Sequence, residues 1–139
     1  MQNKSNRLII NCDGGSRGNP GPAACAFVVS LQNKIIYQDS KYLGRATNNV
    51  AEYSAVILAL FWLKQNLTDE KVVFVLDSEL VVKQITGVYK VKNTNLKKLV
   101  LEVKDLLASI NASVTFTHVL RDHNIRADEL VNTTLDANS

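Results

Sequence analysis

Four acids in the chain, Asp13, Glu52, Asp77 and Asp128, stand where elements of structure should begin or end. Asp13 closes the β-rich run Arg7–Asp13, and Asp77 follows the apolar run "KVVFVL" of Lys71–Leu76. Glu52 lies one turn into a helical stretch, and Asp128 lies near the start of the last one. Open α/β sheets present their ligands at the carboxyl ends of parallel strands, so all four acids can converge on one edge. Singly, each has an ordinary explanation, with Asp13 in a turn, Asp77 as a helix cap, and Glu52 and Asp128 as partners of a helix dipole. Together they point to hard-cation chemistry, because clustered carboxylates raise one another's pKa unless a cation offsets them. Setting the four aside leaves nine acids against sixteen bases, so the rest of the chain carries +7 where the total is +3. A positive surface around an anionic, cation-filled pocket suits a polyanionic substrate.

The elements that must position these acids are legible in the hydrophobic pattern. Arg7–Asp13, Ala23–Leu31 and Lys34–Leu43 read as three strands, the last two joined by a hairpin turn at Gln32-Asn33. Thr47-Asn48-Asn49 offers capping side chains to a helix over Ala51–Gln65. Lys71–Leu76 reads as a strand covered on both faces. Asp77-Ser78 can cap a helix over Glu79–Ile85, which Gly87 stops. Apolar residues from Leu96 to Leu107 recur with the 3.6-residue period of a helix over Thr94–Ser109. A fifth strand, Ser113–Leu120, and a helix over Ile125–Asp136 complete the chain. Three consecutive strands followed by β-α-β units predict an α/β fold: a mixed five-stranded sheet, antiparallel in its first three strands and parallel thereafter, flanked by helices. The 139 residues suit one domain, with its core over about 7–137.

Composition excludes several classes. The apolar fraction of 46% is that of a globular chain. The longest apolar run, "AVILALFWL", is too short to span a bilayer, and the polar Met1–Asn6 does not read as a signal segment. No membrane association is expected. Cys12 and Cys25 lie in apolar strand-like runs and read as buried thiols in a reducing cytosol.

The stretch "NCDGGSRGNPGP" gathers four of the six glycines and both prolines beside Asp13. It lacks the Gly-Lys-Ser/Thr ending of a nucleotide-binding P-loop, and no helix follows it. Glycines there allow close backbone approach to a strand of nucleic acid. Asn19 and Ser16, with main-chain groups, are placed to meet ribose 2′-hydroxyls. A plain turn between two strands is the alternative.

"DGGSRGNPGPAACAFVV", "TNNVAEYSAVILAL", "VLDSELVVKQITG" and "HVLRDHNIRADELVN" together resemble the signature blocks of type 1 ribonuclease H, in order and in spacing, from about Leu8 to Asn132. The resemblance implies the ribonuclease H-like fold. It implies a monomeric, cytoplasmic enzyme that cuts the RNA strand of RNA/DNA hybrids, leaving a 5′-phosphate and a 3′-hydroxyl. By the same resemblance, Asp13, Glu52, Asp77 and Asp128 would bind two Mg2+ ions, with Mn2+ as a substitute. Gly14, Gly15, Ser16 and Asn19 would contact substrate. Arg45 and Thr47 would grip a phosphate of the DNA strand, Asn48 and Asn49 would touch the minor groove, and Asn93 would join the phosphate pocket. The alternative of another class is a module of this fold that binds hybrids without cutting them.

Two features depart from the family pattern. Only "TGVYKVKNTNLKK" stands where many members carry a long basic handle, leaving Lys90, Lys92, Lys97 and Lys98 as partial replacements. Members often place a catalytic histidine before the last aspartate, and two candidates exist. His118 has the familiar ten-residue separation from Asp128 but sits in strand-like sequence. His123 falls in the loop "RDHN", and alignment by strand favours it.

Overall fold

The computed structural model describes residues 7–66 and 68–139; the polar Met1–Asn6 lies outside the described residues. Strands β1 (Arg7–Ser16), β2 (Gly21–Leu31) and β3 (Lys34–Ala46) form the predicted antiparallel meander. The β2–β3 hairpin turns on Gln32 and Asn33, with φ of 53° and 64°. Two successive left-handed residues give the turn whose twist matches paired strands. Helix α1 (Asn48–Gln65) leads to β4 (Lys71–Leu76), and α2 (Glu79–Ile85) and α3 (Thr94–Ala108) follow. Strand β5 (Val114–His118), a 3-10 turn at Arg121–His123 and α4 (Ile125–Ala137) end the chain. The sheet order is β3-β2-β1-β4-β5, with β4 and β5 parallel to β1.

Helix α1 packs against β1, β2 and α3, whereas α4 covers β1, β2 and β3 from the other side. The main core lies on the α1 side, where Leu8, Ile10, Phe27, Val29, Leu60, Val72 and Phe74 are buried. A smaller cluster of Ala24, Ala26, Val131 and Leu135 holds α4 down. Three helices begin with a side chain that caps them. Thr47, Ser78 and Asn93 each accept a backbone N–H from the first turn of α1, α2 and α3. Such a cap is worth about 1 kcal/mol.

Two sequence expectations need correction. Strand β4 is not covered on both faces: Val72, Phe74 and Leu76 are buried but Val73 and Val75 are half-exposed, because α4 stops short of this half of the sheet. Nor does Asp13 end β1. Parallel pairing with β4 stops at Cys12↔Leu76, while antiparallel pairing with β2 continues to Ser16↔Ala23. Asp13 therefore sits where β1 outruns β4, with one side of its strand open.

Candidate active site

That geometry opens the buried Asp13 carboxylate toward a cleft. Asp13 leaves β1 at the point where its parallel neighbour has ended, and Asp77 follows directly on β4. Glu52 comes from the first turns of α1 and Asp128 from the first turn of α4. One carboxylate oxygen from each of Asp13, Glu52 and Asp77 lies within 4.8 Å of the others. The Asp128 carboxyl is in hydrogen-bonding contact with Asp13. All four line one cleft of about 450 Å³.

The cost of this gathering appears in proton affinity. Burial, then the Asp77 and Asp128 charges and the Asp128 hydrogen bond, push Asp13 up to about 8. Burial and Asp77 push Glu52 up to about 7, against the opposing pull of the Ser78 hydroxyl and the Arg121 charge. A folded protein that keeps such groups together needs positive charge among them. Three or four hard oxygens at this spacing match the donor set of a divalent cation such as Mg2+, which takes few protein ligands and retains water. The residues present fit a metal.

Gly14 makes the spacing of Asp13 and Glu52 possible. A Cβ on Gly14 would overlap the Ala51 carbonyl and lie 2.6 Å from the Glu52 backbone nitrogen. The glycine thus serves contact between β1 and α1 and also lines the cleft. A Cβ on Gly15 would meet only ordinary contacts, 3.8 Å from Val131 and 4.0 Å from Asn48.

The other wall of the cleft carries hydrogen-bonding groups. Gly15, Ser16, Asn19, Asn48 and Asn49 all line it. Asn48 Oδ1 accepts from the Ser16 backbone N–H at 2.8 Å and from the Ser16 hydroxyl at 3.1 Å. The Asn48 backbone N–H donates to Asn19 Oδ1 at 3.0 Å, so the turn after β1 is tied to the start of α1. Arg17 at the tip of that turn pairs with Asp136 at 2.7 Å. Asn132 Nδ2 donates to the Asp128 carboxylate at 3.5 Å.

Arg45, Thr47 and Asn93 do not line this cleft. Thr47 Oγ1 and Asn93 Oδ1 are engaged as the caps of α1 and α3. His123 is 70% exposed, 3.8 Å from Asp122, and is absent from the cleft lining, as is His118 at the end of β5. Arg121, two residues before His123, does line it and faces Glu52. Sequence reasoning passed over Arg121; its place in the short loop between β5 and α4 was the available signal.

Comparison with known proteins settles the kinship. The Reverse transcriptase-like family matches residues 11–134. LC11-RNase H1, a metagenomic protein from compost solved in complex with an RNA/DNA hybrid, is 41% identical with a TM-score of 0.90, covering 94% of this chain and 98% of that one. The chain belongs to the type 1 ribonuclease H family. Ribonuclease HI of Halobacterium salinarum is 40% identical over 134 residues, 96% of this chain and 66% of that protein. The bifunctional protein Rv2228c of Mycobacterium tuberculosis is also 40% identical over 134 residues, but the chain spans just 36% of its length. The five-stranded mixed sheet is the ribonuclease H fold expected from the sequence.

Proposed function

We propose that this chain is a metal-dependent endoribonuclease that hydrolyses the RNA strand of RNA/DNA hybrids, leaving 5′-phosphate and 3′-hydroxyl ends. The observation that carries the reading is the meeting of Asp13, Glu52 and Asp77 oxygens within 4.8 Å at the floor of an open cleft. Likeness to a ribonuclease H1 solved with a hybrid supports the substrate class. Two Mg2+ ions, with Mn2+ as a substitute, would supply an activated water and neutralise charge at the leaving oxygen. Asp13, Glu52, Asp77 and Asp128 are the residues that hold them. The Ser16, Asn48 and Asn49 wall hydrogen-bonds the RNA strand, where ribose hydroxyls distinguish it from DNA. Arg45 and Thr47, with Asn93, bind a DNA-strand phosphate outside the cleft. His123 assists water attack or product release, or Arg121 supplies positive charge near the scissile phosphate; Arg121 is better placed, since it lines the cleft.

We read residues 1–139 as one domain with its core over about 7–137, monomeric and cytoplasmic. Among the described residues no helix is long and apolar enough to cross a membrane. The two cysteines are free and buried, and burial holds Cys25 up at about 12, an unreactive thiol suited to a structural role.

The test is cleavage of one labelled sequence as hybrid, double-stranded RNA and double-stranded DNA, with Mg2+ or EDTA. Cleavage confined to the hybrid RNA, and reduced by at least about 10²-fold in Asp77→Asn, is the expected result. Hybrid binding without any cleavage overturns it in favour of a binding module.

A further inference from the structure

Helix α4 is the exception among the helices. Its N-cap residue is Asn124, a good capping type, yet no side chain caps the helix. The Asn124 side chain is 1% exposed and turned the other way, toward β1. Its Nδ2 donates to the Cys12 carbonyl at 2.8 Å, and its Oδ1 accepts from Asn11 Nδ2 at 3.0 Å. Its backbone carbonyl accepts from the Asp128 N–H at 3.2 Å, in the first turn of α4. One buried amide thus touches the peptide group joined directly to Asp13 and, through one helical turn, holds Asp128. The helix forgoes a cap worth about 1 kcal/mol, and the side chain makes one buried and one part-buried hydrogen bond, to residues 112 and 113 positions earlier in sequence.

We propose that Asn124, braced by Asn11, is a positioning residue that sets the separation of the Asp13 and Asp128 carboxylates for cation binding. The inference rests on the metal-dependent reading of the cleft. Asn124 reaches neither substrate nor cation; it fixes the two elements that carry ligands, as outer hydrogen bonds do around metal sites. A structural role alone would make Asn124 matter in proportion to the stability it contributes. A positioning role separates the two quantities.

Asn124→Ser makes that separation, since serine caps a helix as well as asparagine but is too short for the bridge. Mn2+ binding, read by the electron paramagnetic resonance of free Mn2+, is the measurement, with melting temperature recorded in EDTA. Asn124→Ser and Asn124→Ala should both bind Mn2+ about tenfold more weakly. Asn124→Ser should melt above Asn124→Ala. Asn11→Ala, which leaves the bond to Cys12, should weaken binding less. Val103→Ala, a cavity in α3 at a fully buried site, should lower the melting temperature without moving Mn2+ affinity. Affinities of both Asn124 variants within twofold of wild type overturn the proposal, as does an equal weakening in Val103→Ala. Should Asn124→Ala not fold, the serine and Asn11 variants decide. A wild-type chain that binds no Mn2+ overturns both this inference and the nuclease reading. One that binds Mn2+ but does not cut hybrid overturns the nuclease reading alone.

Discussion

Asp13→Asn should stabilise the metal-free protein, and by more as pH rises. The raised carboxyl stays protonated in the folded protein up to about pH 8, whereas in the unfolded chain it ionises near its ordinary value of 3.8. Its contribution to stability is complete below pH 3.8 and is lost as pH climbs through about 8. Each tenfold in proton affinity is worth about 1.4 kcal/mol. The penalty therefore grows from about 2 kcal/mol at pH 5 to a ceiling of about 6 kcal/mol at pH 8.5. The cleft is open to water and counter-ions, which reduce that ceiling, so the growth should be about 2–4 kcal/mol. Asparagine carries no such penalty at either pH. For a chain of this size 1 kcal/mol moves the melting temperature by about 3 °C, giving an advantage for Asp13→Asn that widens by about 6–12 °C. Circular-dichroism melts in EDTA at pH 5 and pH 8.5 measure it. Saturating Mg2+ should restore the wild type at pH 8.5 and leave Asp13→Asn nearly unmoved. An advantage that is flat with pH would refute the idea that burial and mutual repulsion hold this carboxyl up.

Gly14→Ala should cost about 3 kcal/mol and depress cleavage, because the new Cβ meets α1 backbone that cannot step aside; Gly15→Ala should change stability by less than about 1 kcal/mol, and equal melting temperatures for the two would refute this. Arg121→Ala should lower kcat for hybrid by about tenfold with little change in melting temperature, and His123→Ala should lose less; the reverse ranking in a cleavage assay would return the role to the histidine. Lys97→Ala should reduce the slope of log KM against log salt by about one if this lysine contacts a phosphate, and an unchanged slope would show that Lys97 does not replace the missing handle.

The fold was legible because period and capping agreed along most of the chain. The β4 run "KVVFVL" shows the limit of that reading. An unbroken apolar strand looks the same whether its second face is fully covered or half open, and only the reach of α4 decides. The three extra residues of β1 were hidden for a similar reason. Gly14-Gly15-Ser16 has turn composition, yet it pairs with Ala23–Cys25 because those small residues accept a close neighbour. The acids were visible as punctuation at element ends, and the strand order let them converge on one edge, but the buried bond that fixes the segment carrying Asp128 was not visible. Asn124 illustrates why: a lone loop asparagine gives no sign in sequence that its amide will be buried against a strand 112 residues earlier. The preference for His123 over His118 followed family habit and strand alignment, and neither points to Arg121, which is the one of the three that lines the cleft.

The main-chain seam at Gly14 has a consequence for how the site can move. Where two elements meet through side chains, rotamers can yield and the elements can slide; here peptide units of β1 and α1 abut with no such cushion. Asp13 and Glu52 behave as fixtures on a single rigid jaw. Whatever adjustment a bulky duplex demands must come from the opposing jaw, the α4 segment that carries Asp128 and is seated through side chains alone: the Val131 and Leu135 cluster, the Arg17–Asp136 pair and the Asn124 amide.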